Sequence, residues 1–294
     1  MARPVAVITG AARGIGLETA RRLSATHRVA LVDIDAAGAE AAAAQIGGDA
    51  VHAVCDITDA DSVARAVAVV VERCGGIDVA IANAGIATAG TLRHLDPDVL
   101  ALQLDVNLVG NWRFLHACLP HVIARRGYVL GVASAAAIVA PVSLGMYAAS
   151  KAGFEQLLNV LRVEVAHLGV DVGIAYFSFI DTDMVRGADA RHAAFAEARA
   201  KMRGPAGRTL PVSVAGRAIA DAVAGRRRTV VAPGIVRGAY WLRGLIGPLV
   251  DRESRGNAPT LDRATAEMVA EHGPVDAALG ARAAPARSAD RPPL

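Results

Sequence analysis

Short runs of consecutive apolar, largely β-branched residues recur along the chain, separated by longer Ala-rich stretches of helical periodicity. The runs at 5–8, 28–32, 50–55, 77–82, 127–133, 170–177 and 229–232 predict strands. Because they are apolar on both faces, they belong in a parallel sheet covered on each side, and the intervening segments are long enough for crossover helices. The pattern therefore predicts an α/β chain: a doubly wound parallel sheet of about seven strands with helices on both faces, one domain over residues 1–233. Two regions break the alternation. Residues 184–211 run through Gly204-Pro205-Ala206-Gly207 and predict a substrate lid, while residues 234–276 form an apolar, amphipathic C-terminal extension followed by an Ala/Arg/Pro tail at 277–294 that predicts disorder.

The first predicted strand runs into Thr9-Gly10-Ala11-Ala12-Arg13-Gly14-Ile15-Gly16, and a helical pattern begins at once. Strand, glycine turn and helix start together make an anion site, because glycines let the backbone approach a pyrophosphate and the unpaired N–H groups attract its charge. With 29 glycines in 294 residues, about 0.3 such spacings arise by chance, so context decides. Asp33, at the end of the second predicted strand and 17 residues past Gly16, stands near the distance at which a carboxylate meets an adenosine ribose. That carboxylate accepts bonds from both ribose hydroxyls and repels a 2′-phosphate, which favours NAD over NADP. Arg13 in the turn argues the other way, since a guanidinium suits such a phosphate.

Tyr147 and Lys151 lie four residues apart in a predicted helix and so share a face. A cation beside a phenol stabilises phenolate and lowers its pKa, making it usable as a general acid or base. The chain holds 4 Tyr and two Lys, so chance supplies only about 0.03 such pairs. Ser134, thirteen residues before Tyr147 at the end of the fifth predicted strand, is placed to bond a substrate carbonyl.

Composition narrows the field further. The chain is 53% hydrophobic and 20% charged, and no stretch of ~18 apolar residues is present to span a bilayer. A net charge of +3, with Arg226, Arg227 and Arg228 as its one tight cluster, gives no reason to expect a nucleic-acid partner. Three well-separated cysteines predict neither a disulfide framework nor a zinc site, and with no signal-like segment ahead of Val5 the expectation is a cytoplasmic protein. The eight histidines show no metal-site spacing, and His116 and His121 read as ordinary packing residues.

Taken in order, these motifs resemble the short-chain dehydrogenase/reductase family, over residues 5–233. The resemblance implies a Rossmann-type dinucleotide-binding and catalytic domain in which Gly10, Gly14 and Gly16, with Arg13 and Ile15 between them, hold the pyrophosphate. It implies that Asp33 binds the adenosine ribose and that Asp56-Ile57 contacts adenine. Asn83-Ala84-Gly85 supports the cofactor floor, and Thr182 holds the nicotinamide carboxamide. Asn107, Ser134, Tyr147 and Lys151 form the catalytic set by the same resemblance: Ser134 orients the carbonyl, Tyr147 transfers the proton, Lys151 activates it and binds ribose, and Asn107 positions Lys151. The family commonly assembles as homodimers or homotetramers. One departure stands out, because Phe177-Ser178 replaces the Pro-Gly usual after strand six, an exchange expected to reshape the nicotinamide pocket or narrow the substrate space.

Ile138, Val139, Met146, Phe179 and Met184 are the apolar residues expected on the substrate side, which suits a hydrophobic secondary alcohol or ketone. Burial against the chain's own domain or a second subunit is the plainer reading of residues 235–250; contact with a membrane surface is the other. Two further functions compete: a catalytically idle dinucleotide sensor, and an epimerase or dehydratase of the family's extended branch, whose TGxxGxxG spacing Gly10, Gly14 and Gly16 do not match.

Overall fold

The computed structural model describes residues 3–139, 141–202 and 207–273. Seven strands are present: β1 (Val5–Thr9), β2 (Arg28–Asp33), β3 (Val51–Val54), β4 (Val79–Ala82), β5 (Tyr128–Val132), β6 (Asp171–Phe177) and β7 (Thr229–Ala232). They form one parallel sheet in the order β3-β2-β1-β4-β5-β6-β7. The central strand pairs Val7 with Ala30 on one side and with Ala80 on the other. Chain direction through the sheet reverses between β1 and β4, and such a switch point opens a crevice at the carboxyl ends of the strands.

β4 starts two residues later than its apolar run suggests. Asp78 is the cause: its carboxylate accepts the Val5 N–H at 2.8 Å and its own N–H donates to the Val5 carbonyl at 2.9 Å. A side chain thus takes one rung of the ladder, while Ile77 is buried without being in the strand.

The sheet is covered on both faces. On one, α3 (Ala60–Cys74), α5 (Asn111–Ala124) and α6 (Gly145–Glu164) bury Val67, Phe114, Leu115, Phe154 and Leu158. On the other, α1 (Gly14–Leu23), α2 (Ala36–Ile46) and α9 (Val212–Gly225) bury Ala20, Leu23, Ala42, Ala215 and Ile219. Helix α6 lies close because β5 carries Gly131, where a Cβ would stand 2.2 Å from a Leu158 methyl. Outside these two layers are α4 (Pro97–Leu104), and α7 (Asp183–Arg191) and α8 (Ala193–Ala200) in the segment expected to be a lid. Part of that segment, 203–206, and the 277–294 tail lie outside the described residues.

Beyond β7 the chain forms α10 (Ile235–Arg255) and α11 (Ala258–His272). One side of α10 rests on the domain: Val236 is buried in the first core layer, Tyr240 stacks on Tyr176 at 5.2 Å, and Arg243 pairs at 2.7 Å with the buried Glu155 of α6. Its opposite side is exposed in the single chain. Helix α11 buries Leu261 against Ala89, Leu144 and Phe195. It is tied down by Asp262, which accepts from Thr91 Oγ1 at 3.1 Å and pairs with Arg93 at 2.7 Å. Thr265 Oγ1 adds bonds with the Thr91 N–H and His192 Nε2.

Candidate functional site

A cavity of about 1880 Å³ opens at the carboxyl ends of the strands, along the β1/β4 switch point. A pocket for one small ligand occupies roughly 300–1,000 Å³, so this one has room for a dinucleotide and a second molecule. Gly10, Arg13, Gly14 and Ile15 line it, and Gly16 lies just beneath. Gly10 and Gly14 have φ of +64° and +58°, a conformation that costs side-chain-bearing residues dearly. At Gly16 the constraint is steric, since a Cβ would sit 2.2 Å from the Gly10 carbonyl oxygen. Helix α1, like α5, α6 and α8–α11 and unlike α2, α3, α4 and α7, begins with no side chain accepting a first-turn N–H, and among these uncapped helices it is the one that starts in the glycine turn on the cavity wall. Its N-terminal N–H groups are left for an anion, and this fits the pyrophosphate of a dinucleotide. Gly16→Ala is expected to push the turn and helix apart, costing about 1–3 kcal/mol of stability and at least ~10-fold in dinucleotide affinity, read by thermal denaturation and titration.

The walls near this cradle hold Asp33, Asp56 and Ile57. Asp33 accepts the Ala12 N–H at 2.9 Å and the Asp35 N–H at 3.1 Å, which fixes its carboxylate at the tip of β2 beside the turn. Asp56 accepts from Thr58 N–H and Oγ1 at 2.8 and 2.7 Å. Arg13 is exposed and lies 3.9 Å from Asp35 and 3.8 Å from Asp183, spanning from the glycine turn to the start of α7. The floor is built by Asn83-Ala84-Gly85: Asn83 Nδ2 donates to the Thr9 carbonyl at 2.9 Å, and Thr9 Oγ1 accepts the N–H groups of Asn83 and Ala84.

Ser134, Tyr147 and Lys151 face the same cavity. Ser134 caps a short turn, with its Oγ accepting the Ala136 N–H at 3.1 Å and donating to the Phe177 carbonyl at 3.5 Å, and it lies close enough to Tyr147 to favour the phenolate. Lys151 is buried, its ammonium donating to the Val132 carbonyl at 2.9 Å and lying 5.9 Å from the centre of the Tyr147 ring. Asn107 sits in a widened helical turn, Asp105–Gly110, just ahead of α5. It is fully buried, accepts the Ile86 N–H, and donates to the Ile86 carbonyl and to Ser150 Oγ. Gly85 brings these groups together: a Cβ there would fall 3.0 Å from Asn107 Oδ1 and 3.3 Å from Lys151 Nζ.

The electrostatics differ from the sequence expectation in one respect. A neighbouring ammonium was expected to lower the Tyr147 pKa; instead burial raises it, and the nearby Ser134 hydroxyl is what opposes the rise. Burial also pulls Lys151 down to about 8. Lys151 is buried and Tyr147 half-buried, so each disfavours its own charge, and the ammonium is aimed at a carbonyl.

Of the residues expected on the substrate side, Met184 lines the cavity, beside Ile86, Ile180 and Val185. Ile138, Val139, Met146 and Phe179 do not. Ile138 packs on the first core layer, Met146 is buried against Leu95 and Val99, and Phe179 meets Phe195 at 6.2 Å under the Arg199 guanidinium. Phe177 reaches the cavity wall from the second core layer with 4% of its surface exposed, so its ring fills the interior and does not cross the opening. Thr182 lines the cavity while capping α7 through the Val185 N–H. Thr9, Ser150 and Asn111 were given no role in the sequence reading; Asn111 Nδ2 donates to the carbonyls of Ala84, Val106 and Asn107. Their signal is weak, since a buried hydroxyl or amide shows only once its partners are known.

Residues 4–193 match the family model described as short chain dehydrogenase. A D-threitol dehydrogenase of Mycolicibacterium smegmatis is 38% identical over 173 residues, covering 57% of this chain and 66% of the relative. A Mycobacterium tuberculosis protein, named as an uncharacterized NAD-dependent oxidoreductase, is 33% identical over 200 residues, 62% of this chain and 73% of its own. The crystal structure of a short-chain type dehydrogenase/reductase from Mycobacterium marinum superposes with a TM-score of 0.71 at 23% identity, over 78% of this chain and 94% of that one, and shares the fold. With a family match running from the start of β1 through α7, this chain belongs to the short chain dehydrogenase family of oxidoreductases.

Proposed function

We propose that this chain is an NAD-dependent dehydrogenase that interconverts a hydrophobic secondary alcohol and its ketone, with Tyr147 as general acid and base. The observation that carries this reading is the meeting of Ser134, Tyr147 and Lys151 in one cavity with the uncapped, glycine-lined start of α1. Gly10, Gly14 and Gly16 would hold the pyrophosphate, Asp33 the ribose, Asp56 and Ile57 the adenine end, and Thr182 and Lys151 the nicotinamide end. When bound, the nicotinamide supplies the site that accepts or returns a hydride.

Tyr147 Oη takes the hydroxyl proton in oxidation and returns it in reduction. Ser134 Oγ shares a hydrogen bond with the reacting oxygen as charge develops there. Lys151 adds positive charge close by, and Asn107 with Gly85 fixes its approach. Ile86, Ile180, Met184 and Val185 give the substrate end an apolar wall, which supports a hydrophobic substrate. Residues 184–211 act as its lid, and the chain works as a homodimer or homotetramer.

The deciding assay mixes purified protein, NAD and a panel of hydrophobic secondary alcohols and follows the absorbance of the reduced nicotinamide. Turnover that Tyr147→Phe removes supports the dehydrogenase. Cofactor binding with no absorbance change at any pH identifies an idle dinucleotide sensor instead. The NAD preference rests on Asp33 and is in keeping with the name of the tuberculosis relative. In a paired titration, NADH is expected to bind at least ~10-fold tighter than NADPH; tighter NADPH binding overturns the role of Asp33.

A further inference from the structure

The outward face of α10 is apolar in a way the fold does not use. Trp241, Leu242, Leu245 and Leu249 are 76%, 51%, 74% and 66% exposed, and Ile235 is 52% exposed. At 3.6 residues per turn these five fall within an arc of about 120° on one side of the helix. The opposite side is engaged with the domain through Val236, Tyr240 and Arg243. Arg237 and Arg255 border the exposed arc along one edge, and Arg252 lies one turn beyond Leu249. None of these three arginines has an ion pair among the described residues, whereas Arg243 is taken by Glu155.

We propose that this face docks on an anionic lipid surface, with Trp241, Leu242, Leu245 and Leu249 entering the headgroup boundary and Arg237, Arg252 and Arg255 meeting the negative headgroups. Two observations support a lipid partner. The first is charge complementarity: Arg237, Arg252 and Arg255 outnumber Asp251 and Glu253 in the helix that carries the Trp/Leu stripe, and a stripe with a net positive rim is the composition of a helix lying in a membrane interface. The second is the helix itself, which holds Gly238, Gly244, Gly247 and Pro248 within one 21-residue span, all poor helix formers. Such a segment draws its stability from packing of an apolar face, and beyond Arg243 its contacts with the domain are sparse. A second copy of the chain is a poorer occupant. In a symmetric contact between two such faces its arginine rim would meet a second arginine rim, a like-charge juxtaposition. An anionic bilayer brings no such repulsion, and no helix among the described residues is long and apolar enough to cross one, which leaves surface contact.

The test is cosedimentation of the full chain with vesicles of phosphatidylcholine containing one third phosphatidylglycerol. Most of the protein is expected to pellet at low salt, with the bound fraction falling several-fold at high salt or on pure phosphatidylcholine. The double variant Trp241→Ser, Leu245→Ser is expected to lose at least ~10-fold in vesicle affinity while binding dinucleotide as before. Should that variant fail to fold, Arg237→Glu with Arg252→Glu tests the same contact by reversing its charge. No pelleting by the wild type, or equal pelleting by a folded variant, overturns the proposal. So does light scattering that shows a wild-type oligomer dissociating in the variant while vesicles bind neither, which would assign the face to a second subunit. None of these readouts requires turnover, so they stand apart from the dehydrogenase assay.

Discussion

Tyr147→Phe is expected to lower kcat about 10³-fold while changing the NAD dissociation constant by no more than about two-fold. The substitution removes one oxygen near Ser134 and leaves the ring, which lies beside the Lys151 ammonium. The pH profile sharpens the test. Oxidation needs the phenolate, and burial holds the Tyr147 pKa above its ordinary value. The oxidation rate of the wild type is therefore expected to climb with pH through the alkaline range, and reduction, which needs the phenol, to fall. The Phe variant loses that slope in both directions. A variant that keeps the wild-type slope and rate would show that another group moves the proton.

Lys151→Met is expected to weaken the enzyme and strengthen the fold at once. Burial lowers the lysine to about 8 from its ordinary 10.5, so at pH 7 the folded chain carries an ammonium it disfavours, at a cost of about 3 kcal/mol. The unfolded chain binds more protons between pH 8 and 10.5, so this cost is complete below 8 and disappears as the pH rises through that window. Methionine removes the charge and forfeits one bond to the Val132 carbonyl, worth about 1–2 kcal/mol. The net gain is about 1–2 kcal/mol, a rise of a few degrees in Tm at pH 7 that narrows toward pH 10. Turnover should fall at least ~10²-fold, since the phenol and the ribose both lose their cation. A variant less stable at pH 7 than the wild type would mean that the ammonium is better compensated than its single carbonyl partner indicates.

The sheet was legible because its strands are apolar on both faces and short, so run and strand coincide; β7 matches its predicted limits, and β2 gains only Asp33. Where a side chain enters the ladder, as Asp78 does, composition gives no warning. The glycine turn and the Tyr147-Lys151 pair were legible because their spacing is itself the chemistry. Substrate-side residues were not, since an apolar residue reads alike whether it lines a cavity or fills a core, and only tertiary packing put Met146 against Val99 and Phe179 against Phe195. The widened turn at Asn107 and the ties of α11 to Thr91 depend on partners far along the chain, 174 residues away for Thr265.

Asp33 holds the Ala12 N–H at the same time as it faces the place proposed for the ribose. In the proposed function one carboxylate would then both select the nucleotide and brace the loop that receives its phosphates. Retuning this position toward the phosphorylated cofactor would slacken the loop as well, so affinity for both nucleotides would drop together unless a second change restores the brace. Selectivity and preorganisation would then be coupled through a single side chain, which would make this a poor position at which to exchange one cofactor for the other in isolation.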